Sequence, residues 1–163
     1  SKFEILYSEY KNLMYYTANR ILRNSSDAED VVHQAFLKVI EILDTISSPR
    51  CHKTRALLVT ITEHKAIDLY REKQRRNVLP LAEEYIGAAP AAEIERFAAR
   101  DTLAAAIAAL PPRYRSVLLL RYDCGYSNAE IANILDTTEP NVRKLIQRAK
   151  EKLSAALSEM EEP

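Results

Sequence analysis

Apolar residues in the first part of this chain recur at helical intervals. Phe3, Leu6, Tyr7, Tyr10, Leu13, Met14, Thr17 and Ile21 follow three- and four-residue steps, which predict one long amphipathic helix. Asn24-Ser25-Ser26 ends it. Ser26 with Glu29 three residues later forms a capping box, and it opens a second helix with Ala28, Val31, Val32, Ala35, Phe36, Val39, Ile40 and Leu43 as its apolar stripe. Asp27, Glu29, Asp30, His33, Gln34 and Lys38 are expected on its outward side. Asp44 to Thr54, interrupted by Ser47-Ser48-Pro49, reads as an exposed loop. A third helix is expected from about Arg55 to Arg76. Leu57, Leu58, Ile61 and Ile67 can complete a three-helix core, while His64, Asp68, Arg71 and Arg75 line one face with Lys65, Lys73 and Arg76 beside them.

Residues 78–92 lose this periodicity and contain Pro80, Gly87 and Pro90, which predicts a linker. Glu93 to Leu110 is alanine-rich and helical. Pro111-Pro112 stops it, and Pro112 suits the first turn of the next helix, Arg113 to Tyr122, with Gly125 as a cap residue after its end. Ser127 and Glu130 form another capping box before a short helix that stops at about Leu135. After a tight turn, Thr138 can cap a helix with Val142, Leu145, Ile146, Ala149, Leu153 and Leu157 on its apolar face. Pro140 falls in its first turn, where amides have no helical partner in any case. The expected fold is therefore all-α. Two small helical domains, a three-helix domain over 1–77 and a four-helix domain over 93–163, are joined by a flexible linker over 78–92.

Composition agrees with this outline. A chain of 163 residues with 47% hydrophobic residues can bury real cores, and only two glycines argue against a sheet-rich fold. The net charge of zero hides segregation. Residues 65–76 hold five basic and two acidic side chains, and residues 143–152 hold five basic and one acidic, whereas 81–95 carry four glutamates and no base. Arg143, Lys144, Gln147, Arg148, Lys150 and Lys152 lie off the apolar stripe of the last helix. Two short helices with a tight turn, the second basic on its open face, describe a helix-turn-helix suited to the DNA major groove. Each patch taken singly is equally compatible with a solvated helix face, and acidic residues early in the second helix also suit its dipole.

Catalytic and metal-binding patterns are missing. Cys51 and Cys124 lack a CxxC partner, and Cys51-His52 lacks further ligands at metal spacing. His33, His52 and His64 have no matching carboxylate spacing, and there is no phosphate-cradling glycine loop or HExxH. We therefore expect no catalytic residue, metal, cofactor or small-molecule substrate. No apolar run approaches membrane-spanning length and the start, Ser-Lys-Phe-Glu, is not a secretory signal, so a cytoplasmic protein is expected.

Three stretches together resemble the extracytoplasmic-function sigma factors, bacterial initiation factors of the sigma-seventy family that have only the second and fourth sigma domains. They are Asp27 to Val39, Leu57 to Arg71, and Leu110 to Tyr122 leading into the helix-turn-helix. The resemblance runs from about Phe3 to Leu157. It implies a non-enzymatic factor that binds core RNA polymerase and directs it to promoters. Asp27, Glu29, Asp30, His33, Gln34 and Phe36 would dock on the clamp helices of the largest polymerase subunits. The Asp44–Thr54 loop would capture an unstacked base of the −10 element, with Arg55, His64, Lys65, Asp68, Arg71, Lys73, Arg75 and Arg76 along the melted strand. Asn141, Arg143, Lys144, Gln147 and Arg148 would read the −35 duplex, where arginine can pair with guanine and asparagine or glutamine with adenine. An anti-sigma protein is implied as a further partner, one that could hold the factor at the membrane.

Some positions depart from the family pattern. Leu57-Leu58 stands where Trp-Leu is frequent, His64 where an asparagine usually faces the strand, and His33-Gln34 where Gln-Glu is common. Asp136 occupies a turn position often held by glycine, although aspartate tolerates a left-handed backbone. Leu145 replaces a frequent arginine. A dimeric helix-turn-helix regulator working without polymerase is the alternative; it leaves the cationic third helix and its preceding loop without a task.

Overall fold

The computed structural model describes residues 1–76 and 102–161. The chain divides into two compact units, Ser1–Leu81 and Ala82–Pro163, each described by itself. The linker expected over 78–92 and the first part of the alanine-rich helix from Glu93 lie outside the described residues. Among the described residues all regular structure is helical, and no helix is long and apolar enough to cross a membrane.

The first unit has three mutually packed helices, α1 (Lys2–Leu22), α2 (Ser25–Glu41) and α3 (His52–Arg75). Ser1 and Glu4 close a capping box at the start of α1. Its end is an Arg23 cap in the left-handed region, φ 52°, whose N–H bonds the Asn19 carbonyl at 2.7 Å. Leu6, Met14 and Ala18 from α1, Ala35 and Val39 from α2, and Leu57, Leu58 and Ile61 from α3 form the sealed centre of the core.

Two expectations about α2 are corrected. Its cap is Asn24, which is extended and accepts the Asp27 N–H at 3.0 Å, so the helix begins at Ser25 and Ser26 lies inside its first turn. Lys38 faces inward, not outward. It is 4% exposed, its stem lying along the core while the ammonium reaches Glu41 at 3.2 Å. The Asp44–Thr54 segment also differs from an exposed loop. A 3₁₀ turn spans Leu43–Thr45, Ile46 and Thr54 are buried, and α3 already starts at His52 with Cys51 as its cap. Ser47, Ser48 and Arg50 between the turn and α3 stay exposed as expected, as do Asp44, Thr45, His52 and Lys53, with Pro49 half-buried.

In the second unit α4 (Thr102–Ala108), α5 (Pro112–Leu118), a π-helical turn (Leu119–Asp123), α6 (Asn128–Ile134) and α7 (Glu139–Glu161) follow one another. Pro112 takes the first position of α5, as expected. The helix predicted to run regularly to Tyr122 instead widens after Leu118, where the Cys124 N–H reaches back five residues to the Leu119 carbonyl at 2.9 Å. Gly125 then adopts φ 79°. The Ser127–Glu130 capping box is present in both directions, at 3.1 and 3.0 Å. Helix α6 ends in a Schellman motif. Thr137 N–H bonds the Ala132 carbonyl at 2.9 Å and Asp136 N–H bonds that of Asn133 at 3.4 Å, with Asp136 at φ 53°. Thr138 caps α7 by accepting the Asn141 N–H at 3.3 Å. Helix α7 is the spine of this unit: α4, α5 and α6 all pack on it, around Val117, Leu120, Ile131, Val142 and Ala149.

Candidate nucleic-acid and polymerase interfaces

Burying Val142, Ile146 and Ala149 turns the opposite face of α7 to solvent. Asn141, Arg143, Lys144, Gln147 and Arg148 are all exposed there, and Leu145 is half-buried at the edge of the core. Two of them are held locally. The Asn141 side-chain amide donates to the Thr137 hydroxyl at 2.7 Å, and Arg143 lies 3.5 Å from Glu139. The Arg143 pair is half exposed on both sides, so water screens it and a phosphate or base edge can displace it at small cost. Lys150 and Lys152 fold back over the Tyr122 and Tyr114 rings, at 5.2 and 5.4 Å from the ring centres. These contacts hold both lysines against their own unit.

On α3 the helical steps bring His64, Asp68 and Arg71 together. His64 Nε2 is 3.6 Å from one Asp68 oxygen, and Arg71 is 4.0 Å from the other. Arg55 and Arg75 are exposed, Lys65 is half-buried, and Arg76 pairs with Glu72 at 3.1 Å. Asp68 therefore partly neutralises the middle of this cationic face. Lys73 is directed elsewhere. It pairs with Asp27 at the start of α2, which joins a candidate strand-binding residue to a candidate docking residue.

The α2 surface divides in a way the pattern of residues did not reveal. Glu29, Asp30, His33 and Gln34 are exposed, whereas the Asp27 side chain is 18% exposed against Lys73. Phe36, expected on a docking surface, is only 5% exposed and shapes this surface from beneath. Its ring meets Phe3 edge-on at 5.9 Å and Tyr7 at 5.0 Å. Around this aromatic cluster an open apolar groove runs between α1 and α2, bordered by Tyr7, Lys11, Glu29, Val32, His33, Leu37 and Ile40. Tyr7, Leu37 and Ile40 are 46%, 46% and 50% exposed, and Lys11 lies over the Tyr7 ring at 5.3 Å. The available signal was breadth. Val32, Phe36, Leu37 and Ile40, beside the buried Val31, Ala35 and Val39, make the apolar stripe of α2 wider than two neighbouring helices can cover.

Two titratable groups near the 3₁₀ turn are perturbed. A hydrogen bond with the Thr54 side chain, followed by backbone amides, holds the Cys51 thiol below its ordinary value of 9.0. Burial, followed by the charge of Cys51, raises the Tyr10 phenol above 10.0. Among the described residues no cluster of His, Cys, Asp and Glu has the makings of a metal site.

Comparison with known proteins accounts for both units. Residues 6–76 match Sigma-70 region 2, and residues 100–153 match Sigma-70, region 4. Among curated relatives, the ECF RNA polymerase sigma factor SigL of Mycobacterium tuberculosis (strain ATCC 25618 / H37Rv) is 29% identical over 157 residues, covering 95% of this chain and 88% of the relative. The ECF RNA polymerase sigma factor SigW of Bacillus subtilis (strain 168) is 26% identical over 163 residues, covering 93% and 86%. Among solved structures, CnrH in complex with the cytosolic domain of CnrY is 27% identical, covers 96% of this chain and 87% of its own, and gives a TM-score of 0.42. The two matched regions take in the α1–α2 groove, the α3 face and the helix-turn-helix, and the chain belongs to the sigma-70 family, as a sigma factor of the extracytoplasmic-function group.

Proposed function

We propose that this factor binds core RNA polymerase through the α1–α2 surface, engages the melted −10 strand with α3 and the segment before it, and reads the −35 duplex with α7. Residues 1–77 and 93–163 are then its two working domains, joined by 78–92. The observation that carries this reading is the presence of two cationic helix faces in separate units. One lies along α3 beside a structured segment, and the other is the second helix of a helix-turn-helix. Division of labour follows from their chemistry. Arg71, Arg75 and Arg76 suit phosphates of an unpaired strand, while Asn141, Gln147 and Arg148 carry donors and acceptors of the kinds that pair with base edges in a major groove. The apolar groove supplies contact area for a helical partner, and Glu29 and Lys11 on its border supply register and selectivity.

A factor of this kind works in the cytoplasm, where polymerase and promoters are found. An anti-sigma protein that covers the same groove would keep it from polymerase, and the family relationship supports such a partner. Runoff transcription from genomic fragments tests the whole reading. Core polymerase with this chain should start at a subset of promoters that share two elements. Absence of initiation on every fragment, with the chain folded and core polymerase active, would reject it in favour of a dimeric duplex binder.

A further inference from the structure

The segment between the 3₁₀ turn and α3 is tied to α1 at three points. Lys2 Nζ donates to the Ile46 carbonyl at 2.8 Å, the Tyr10 hydroxyl donates to the Pro49 carbonyl at 2.7 Å, and Arg50 Nε donates to Glu9 Oε1 at 3.1 Å. Ile46, 2% exposed, anchors the segment from below, and Thr54 donates to the Ser48 carbonyl from the first turn of α3.

These ties differ in weight. Arg50 and Glu9 have side chains 64% and 45% exposed, and an ion pair so open to water contributes little. Lys2 and Tyr10 instead bond main-chain carbonyls in part-buried settings, and Tyr10 is 9% exposed. Bonds to carbonyls direct the path of the backbone whatever side chains the segment carries. Ser47, Ser48 and Arg50 stay exposed on this held backbone. A phenol is protonated near neutral pH in any case, and burial raises that of Tyr10 further above 10.0, so it is a donor throughout the physiological range.

We propose that Tyr10 and Lys2 are positioning residues for base capture, with α1 holding the Ile46–Arg50 segment in the conformation that receives an unstacked base. This rests on the reading of the segment as the −10 base-capturing element. A receptor held in its bound conformation before the strand arrives loses less freedom on binding, so the base contacts are expressed more fully as affinity. Tyr10 and Lys2 touch no base. Their effect reaches the DNA only through the Ile46 and Pro49 carbonyls.

The test uses holoenzyme reconstituted from full-length chain and core polymerase. The probe is a fork-junction DNA taken from a promoter recovered by genomic selection, with a duplex −35 part and a single-stranded −10 part. In a companion series each −10 position in turn lacks its base. With the wild-type chain, one position should stand out as the site where removing the base weakens binding. Tyr10→Phe deletes one hydrogen bond and nothing else, and should weaken binding of the intact probe about three- to tenfold. On the probe abasic at that position its effect should shrink to less than about twofold. Lys2→Ala should show the same pattern, and neither variant should change affinity for core polymerase. Equal losses on intact and abasic probes, or no loss on either, would overturn the positioning role. A wild-type scan in which no position stands out would overturn the base-capture reading and the inference with it.

Discussion

The α1–α2 groove allows docking to be separated from folding by a single side chain. Ile40 is half exposed on α2, at the border of the groove. Complete burial of an isoleucine side chain is worth about 1.5–3 kcal/mol, so the half already covered contributes roughly 1 kcal/mol to unit 1. Ile40→Ala should therefore lower its melting temperature by about 4–8 °C and leave it folded. If a polymerase helix covers the groove, the other half becomes buried on docking. Its loss should cost the complex about 1 kcal/mol more, or roughly a fivefold rise in Kd. Phe36→Ala is unsuitable for this purpose, because removing a ring that is 5% exposed costs about 3–5 kcal/mol, on the scale of a small domain's total stability. Labelled wild-type chain, displaced from core polymerase by each unlabelled variant, reads the affinities directly. Tyr16→Ala removes a side chain 63% exposed on α1 but outside the groove lining, and it should compete like wild type. If Ile40→Ala and Tyr7→Ala also compete like wild type while folded, the polymerase does not occupy this groove.

Three further outcomes are expected. Asp27→Asn should release Lys73 at a stability cost of about 0.2–1 kcal/mol, given the partial exposure of the pair. Binding of single-stranded −10 DNA by the holoenzyme should then depend more steeply on salt, by about 0.7 in the log–log slope for one added phosphate contact; an unchanged slope would exclude Lys73 from the strand path. Arg148→Ala should cost about 1–3 kcal/mol at one −35 base pair and relax discrimination there, whereas uniform weakening across sequences would mean a phosphate contact. Because burial raises the Tyr10 phenol above 10.0, its stabilising effect is fully present below that value and is lost as pH rises through the folded-state value. Melting of wild type between neutral pH and about 11 should show this alkaline loss, and Tyr10→Phe should lack it; parallel curves would exclude Tyr10 as its source.

Local rules explain most of what was legible beforehand. The Ser127–Glu130 box, the Thr138 cap and Pro112 at the start of α5 each involve partners within three residues, and all three fall where expected. The apolar periods of α1, α3 and α7 likewise mark the faces that become buried. Ambiguity began where two local solutions overlap. Asn24 and Ser26 can both cap α2, and only the extended backbone at Asn24 decides between them. Lys38 was placed outside by its charge, although a lysine stem covers apolar surface as readily as a leucine and its ammonium needs only Glu41. The ties from Lys2, Glu9 and Tyr10 to the segment before α3 cross 39 to 44 residues, so no local pattern announces them. For the site itself, the exposed cationic residues of α3 and α7 were readable from spacing. The groove was not, because an apolar stripe does not say how much of its width the neighbouring helices will cover.

The π-helical turn at Leu119–Asp123 makes residue count, as well as residue type, a constraint on the helix-turn-helix. A turn closed over five residues accommodates one residue more than an α-helical turn, and each residue of an α-helix advances the chain by about 100° around its axis. Deleting one position between 119 and 123 would allow α5 to continue as a regular helix, with Val117 and Leu118 still buried. Ser127 and everything after it would then leave that helix about a quarter-turn out of phase. The exposed basic face of α7 would keep every side chain and lose its bearing on the rest of the unit. Insertions and deletions should therefore be purged from Pro112 to Ser127 even where substitutions are accepted.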